Sequence, residues 1–84
     1  MADGKDLDYY DGLPWRVIID PERQEDGQII FVASHPELDG VLDTGETPEA
    51  ALADLHTARR SMLEALFAEG YPVSEPVVVS SVVE

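Results

Sequence analysis

From Thr47 to Pro72 the chain spells one uninterrupted helix with both of its ends marked. Thr47 supplies a side-chain oxygen for the orphan amides of a first turn. Pro48 stands at the first helical position, where a missing N–H costs nothing, and Glu49 suits the positive end of the helix dipole. A complete capping box would place Glu or Gln at position 50, where this chain has Ala50, so the cap is half of that motif. Gly70 offers a left-handed stop and Pro72 forbids continuation. The spacing predicts a helix of about twenty-two residues. Turned at about 100° per residue, Leu52, Leu55, Met62, Leu63 and Leu66 fall on one side, with Ala51 and Ala58 at its margin. An apolar stripe of that kind has to be covered. With 84 residues there is room for one core only, so the helix must lie on a sheet built from the rest of the chain.

Arg59 interrupts the stripe near its middle. Its methylene stem can lie along the core while the guanidinium reaches water, or it can pair with a carboxylate near the sheet edge. The first is the expected arrangement, because an unpaired buried guanidinium is costly.

The sheet is legible in three short runs. "PWRVIID" carries Trp15, Val17 and Ile19 at period two, and Pro21 marks its exit. "IIFVAS" follows the turn signal Asp26-Gly27, which makes an antiparallel hairpin the economical reading. "HPELDG" then breaks the chain, and "VLDT" is a third strand closed by Gly45. After Pro76, "VVVSSVV" is β-prone and is expected to add a fourth strand, within the chain or across a dimer. Residues 1–12 carry Asp3, Asp6, Asp8 and Asp11 against Lys5 and read as a flexible acidic arm, with Tyr9 and Tyr10 able to dock. Residues 13–84 form the single domain.

Eighteen acidic residues face five basic ones, a formal charge of −13. Such a surface repels phosphates and anionic lipid and draws basic partners, although acids also serve plain solubility. Cysteine is absent, which excludes disulfides and thiolate metal sites. No apolar h-region opens the chain and no run is long enough to span a membrane, so a cytoplasmic protein is expected. Asp20, Asp26, Asp39, Asp43 and Glu46 lie near strand ends where two or three could converge on Mg²⁺; loop acids in so acidic a chain are ordinarily solvated, and no metal or other cofactor is assigned. His35 and His56 have no second His at helical spacing, no serine sits in a nucleophile elbow, and no glycine-rich phosphate loop appears. No basic helix or aromatic platform suggests nucleic-acid binding. No enzyme is expected.

The order strand, Asp-Gly turn, strand, "HPELDGVLDTGETPEAAL", long helix, "EGYPVSEP" resembles the HicB antitoxin family. The likeness rests on Asp26-Gly27, then Pro36, Glu37, Leu38 and Gly40, then Gly45, Glu46 and Thr47 just before Glu49, Ala50, Ala51 and Leu52, and covers roughly residues 14–76. It implies an α+β fold of order β-β-β-α-β, a partial RNase H-like unit without the nuclease acids. It also implies a role: binding a small basic mRNA-cleaving toxin of the HicA type and covering its catalytic histidine. Family members often carry a C-terminal helix-turn-helix or ribbon-helix-helix, and "VVVSSVVE" spells neither, so operator binding is not expected of this chain. The rival reading is an orphan HicB-like domain, homo-oligomeric, that binds another protein or ligand; a degenerate RNase H-like metalloenzyme is a third. A homodimer or larger even oligomer is expected from the small core and the apolar tail. The candidate partner contacts are Asp20, Glu22, Glu25 and Asp26 at the first turn, and Asp39, Asp43 and Glu46 around the third strand.

Overall fold

The structure, a computed structural model, describes residues 5–76. Two helices and three strands follow one another as α1 (Leu7–Asp11), β1 (Ile18–Arg23), β2 (Ile29–Ser34), β3 (Leu42–Gly45) and α2 (Pro48–Glu69). The architecture is α+β. The sheet is antiparallel throughout, in the order β1-β2-β3, with Ile18 opposite Ser34 and Ser34 opposite Leu42. The fourth strand expected after Pro76 lies outside the described residues.

The long helix forms as its end signals require. Thr47 Oγ1 accepts from the Ala50 amide at 3.0 Å. At the other end Gly70 has φ 76° and turns its N–H back to the Leu66 and Phe67 carbonyls. Ala51, Leu55 and Leu63 are its buried positions. Leu55 enters a core with Trp15, Ala33, Leu38 and Val41, against which Ile19, Phe31 and Met62 also pack.

Strand boundaries depart from the expected ones. β1 begins at Ile18 and runs through Pro21 to Arg23, so Pro21 sits inside the strand rather than at its exit. It is tolerated because β1 stands at an edge of the sheet among the described residues, where one N–H has no ladder partner to lose. The hairpin turn is as read: Gly27 has φ 90°, and Asp26 Oδ1 accepts from the Gln28 amide at 2.9 Å.

Within the expected acidic arm, residues 7–11 form α1, and Tyr10 docks on α2. A five-residue helix cannot stand alone in water, but α1 is held by its neighbours. Asp6 caps it through the Tyr9 amide at 2.9 Å, and the Tyr10 ring meets Phe67 of α2 edge-on at 5.6 Å. Trp15 Nε1 donates to the Tyr10 carbonyl at 2.8 Å, tying the helix to the core.

Strand alternation then divides the sheet. Ile19, Phe31 and Ala33 face α2 and belong to or pack on the core, so Ile18, Asp20 and Glu22 of β1, Ile30, Val32 and Ser34 of β2, and Leu42 and Thr44 of β3 face the other way. α1 and α2 both lie on the core side, with α1 against α2 and α2 against all three strands. Among the described residues, no element covers the second face.

Candidate functional site

All five basic side chains bond to groups of the chain itself. Lys5 Nζ lies 3.5 Å from Glu75, Arg16 Nε 4.0 Å from Glu37, and Arg23 Nη1 donates to the Gly27 carbonyl at 3.3 Å. Arg60 reaches Asp8 at 2.8 Å, Asp11 at 3.4 Å and Glu64 at 3.7 Å. Arg59 Nε meets Asp11 Oδ1 at 2.9 Å. The exposed pairs among these contribute little to stability. Their electrostatic consequence is larger: three of the five, Lys5, Arg59 and Arg60, meet carboxylates on the α1–α2 side, while Arg16 sits beside Glu37 and Arg23 at the hairpin turn. Asp20, Glu22, Glu25, Asp26, Asp39, Asp43 and Glu46 form no ion pair among the described residues.

Those seven acids do not make one patch. Asp20 and Glu22 are exposed on β1 and share the uncovered sheet face. Glu25 and Asp26 occupy the hairpin turn, and Glu46 shares a shallow depression with Gln28 and Ile29, which places it at that same end of the sheet. Asp43 stands opposite Ala33, on the helix side of β3, and its Oδ1 accepts from the Thr44 amide at 2.9 Å. Asp39 lies at the far end, beside Glu37, Met62 and Leu66. The length of β3, at about 3.3 Å per residue, therefore separates Asp39 from Glu46.

Arg59 overturns its expected arrangement. Its guanidinium does not reach out to water. The side chain is 12 % exposed and its partner Asp11 25 % exposed, and its Nη1 lies 3.3 Å from His35 Nε2. His35 is buried at 2 % exposure, and its Nδ1 lies 2.7 Å from the Arg16 carbonyl. A carbonyl only accepts and a guanidinium only donates, so His35 must be neutral, with its proton on Nδ1. Burial holds the His35 pKa below its usual value, and the Arg59 charge adds to this against the opposing pull of the Arg16 carbonyl. For Asp11, burial pushes the pKa up, but bonds and charge from Arg59 and Arg60 outweigh it and the net shift is downward.

Both shifts act in one direction. As pH falls below the ordinary His value of 6.5, the unfolded chain takes up a proton that folded His35 refuses, so stability drops. A second loss begins below 3.8, as the unfolded chain protonates Asp11 before the folded one does. Urea midpoints are expected to fall between about pH 7 and pH 5, and a His35→Gln variant should lack that slope. Arg59→Leu should cost about 1–2 kcal/mol, less than breaking a fully buried pair because Arg60 still reaches Asp11. Equal slopes in the parent and His35→Gln proteins would contradict the assignment.

The remaining chemistry is sparse. Glu37 has both carboxylate oxygens buried without a hydrogen-bond partner, its nearest cation being Arg16. His56 is exposed on α2. Among the described residues no three His, Asp or Glu side chains gather as metal ligands, and no helix is long and apolar enough to cross a membrane. Lys5, Tyr10, Phe67 and Tyr71 border an open aromatic depression at the α1–α2 junction. Sequence reading missed the Asp11–Arg59–His35 link. Its only signal was an arginine inside an apolar stripe. Neither family models, nor curated proteins, nor solved structures match this chain.

Proposed function

We propose that this protein is a HicB-like antitoxin domain that neutralises a small basic mRNA-cleaving toxin by covering its active site. One observation carries the reading: the five basic groups are bound to the chain's own atoms, while seven acids on the sheet, its turns and its loops form no ion pair among the described residues. A toxin that grips RNA presents Lys and Arg to phosphate, and an acidic domain competes for that surface. The three strands followed by a long capped helix agree with the β-β-β-α part of a partial RNase H-like unit. In this reading residues 77–83 supply the last strand, within the chain or across an even oligomer, and the complex forms in the cytoplasm, where the mRNA is.

Co-expression with a small basic protein, should the adjacent reading frame encode one, tests it. Growth should be rescued, and association of the purified proteins should slow steeply with salt, since attraction between exposed charges is screened beyond about 8 Å at physiological ionic strength. Absence of any binding to that protein would remove the antitoxin role and leave the orphan oligomeric domain as the reading.

A further inference from the structure

We infer that the uncovered face of the sheet is a docking surface for a basic amphipathic helix of a partner protein. The inference deepens the antitoxin reading by naming where such a partner sits.

The face has two kinds of chemistry side by side. Ile18 and Leu42 are 40 % and 55 % exposed, and they flank Ser34 at one end. Val32 and Ile30 continue the apolar strip along the central strand and are half-buried, with no element over them among the described residues. Asp20 and Glu22 run beside that strip on β1, directly opposite Val32 and Ile30 in register. An apolar strip with a carboxylate rail along one flank is complementary to a helix that carries an apolar stripe with Lys or Arg on one side of it.

Width agrees with a helix. Three strands about 4.8 Å apart present a face about 10 Å across, close to the diameter of one α-helix with its side chains. The opposite face of the same sheet already seats α2 in this way. A second copy of the chain fits the charge badly, because it would bring another −13 against the acid rail. A basic helix lowers that repulsion and covers Leu42, the most exposed apolar side chain of the strands.

The test uses the full chain, labelled with ¹⁵N, and a synthetic helical peptide whose leucine stripe is flanked on one side by lysines. A counterpart peptide with glutamates in place of the lysines is the control. The lysine peptide should shift the amides of Ile18, Asp20, Val32 and Leu42, and the glutamate peptide should shift none of them. Asp20→Lys with Glu22→Lys should weaken binding about tenfold. Asp54→Lys with Glu69→Lys, exposed on α2 and changing net charge equally, should weaken it less than about threefold if only long-range attraction is lost. Equal losses in the two pairs would overturn the surface, as would peptide-induced shifts confined to α2 or to the Tyr10–Tyr71 depression. Concentration-dependent shifts on these same strands without any peptide would assign the face to a second copy and overturn it too. The two readings fail separately. Peptide docking here with no toxin rescue leaves the surface and removes the antitoxin role, and rescue with peptide shifts elsewhere does the reverse.

Discussion

Leu55→Ala is expected to cost about 2–5 kcal/mol of folding stability, a large part of what a domain of this size possesses. Leu55 is fully buried at the point where α2 meets Trp15, Ala33, Leu38 and Val41. Truncation there removes the apolar transfer energy of three carbons, and the neighbours cannot collapse into the space, because a sheet lies below and a helix backbone above. Leu66 has the same spacing in the stripe, yet it stays half-exposed toward the depression beside Asp39, so Leu66→Ala should cost clearly less. Urea unfolding of the two variants at neutral pH measures the difference. A Leu55→Ala loss below about 1 kcal/mol would mean that the helix does not seal the sheet here.

The contrast between these two leucines marks how far the sequence could be read. The helix was legible to its end residues because every signal that sets it is local: Thr47 bonds three positions on, and Gly70 closes onto Leu66 and Phe67. The three strands and the hairpin turn were legible as runs, but their limits were not. β1 extends through Pro21 because it stands at an edge of the sheet among the described residues, and edge position is a property of the assembled sheet. α1 was read as an arm because its anchors are remote. Asp11 meets Arg59 across 48 positions and Arg60 across 49, and no periodicity joins them. The same remoteness hid His35, whose ring is fixed by Arg16 and Arg59, 19 and 24 positions away. Of the candidate site, the acids were visible as acids. Their division among an open face, a hairpin end and a far loop required the register, which moves a residue to the other face with each single step. The uncovered apolar strip was invisible for that reason: Ile30 and Val32 stand in an unbroken apolar run, and only the pairing with β1 and β3 shows which of its residues share the open face with Ile18.

Gly45→Ala should destabilise the protein by about 1–3 kcal/mol, toward the upper end of that range, although this glycine has an ordinary backbone conformation. The reason is contact. A Cβ on Gly45 would fall onto the Ala51 amide nitrogen and lie 2.9 Å from both the carbonyl carbon and the Cβ of Ala50. Two of these three atoms are backbone of the first turn of α2, so no flexible side chain can swing aside. Gly45 must slide along β2, losing its pairing with Phe31, or the helix start must lift. Lifting it breaks the bond from the Ala51 amide to the Thr47 carbonyl and the Thr47 cap on Ala50, which together nucleate the helix. Gly40→Ala is the informative comparison. Gly40 has φ 83°, a left-handed conformation, but nothing lies within 4 Å of the added carbon, so only backbone strain of about 1 kcal/mol is incurred. Gly45→Ala should therefore be the more damaging of the two, and hydrogen exchange should show protection lost first at Ala50 and Ala51. If instead Gly45→Ala stayed within about 0.5 kcal/mol of the parent, the close seat of α2 on β3 would be wrong. The position at which Leu55 enters the core would be wrong with it, because Leu55 lies one turn along the same helix from Ala51.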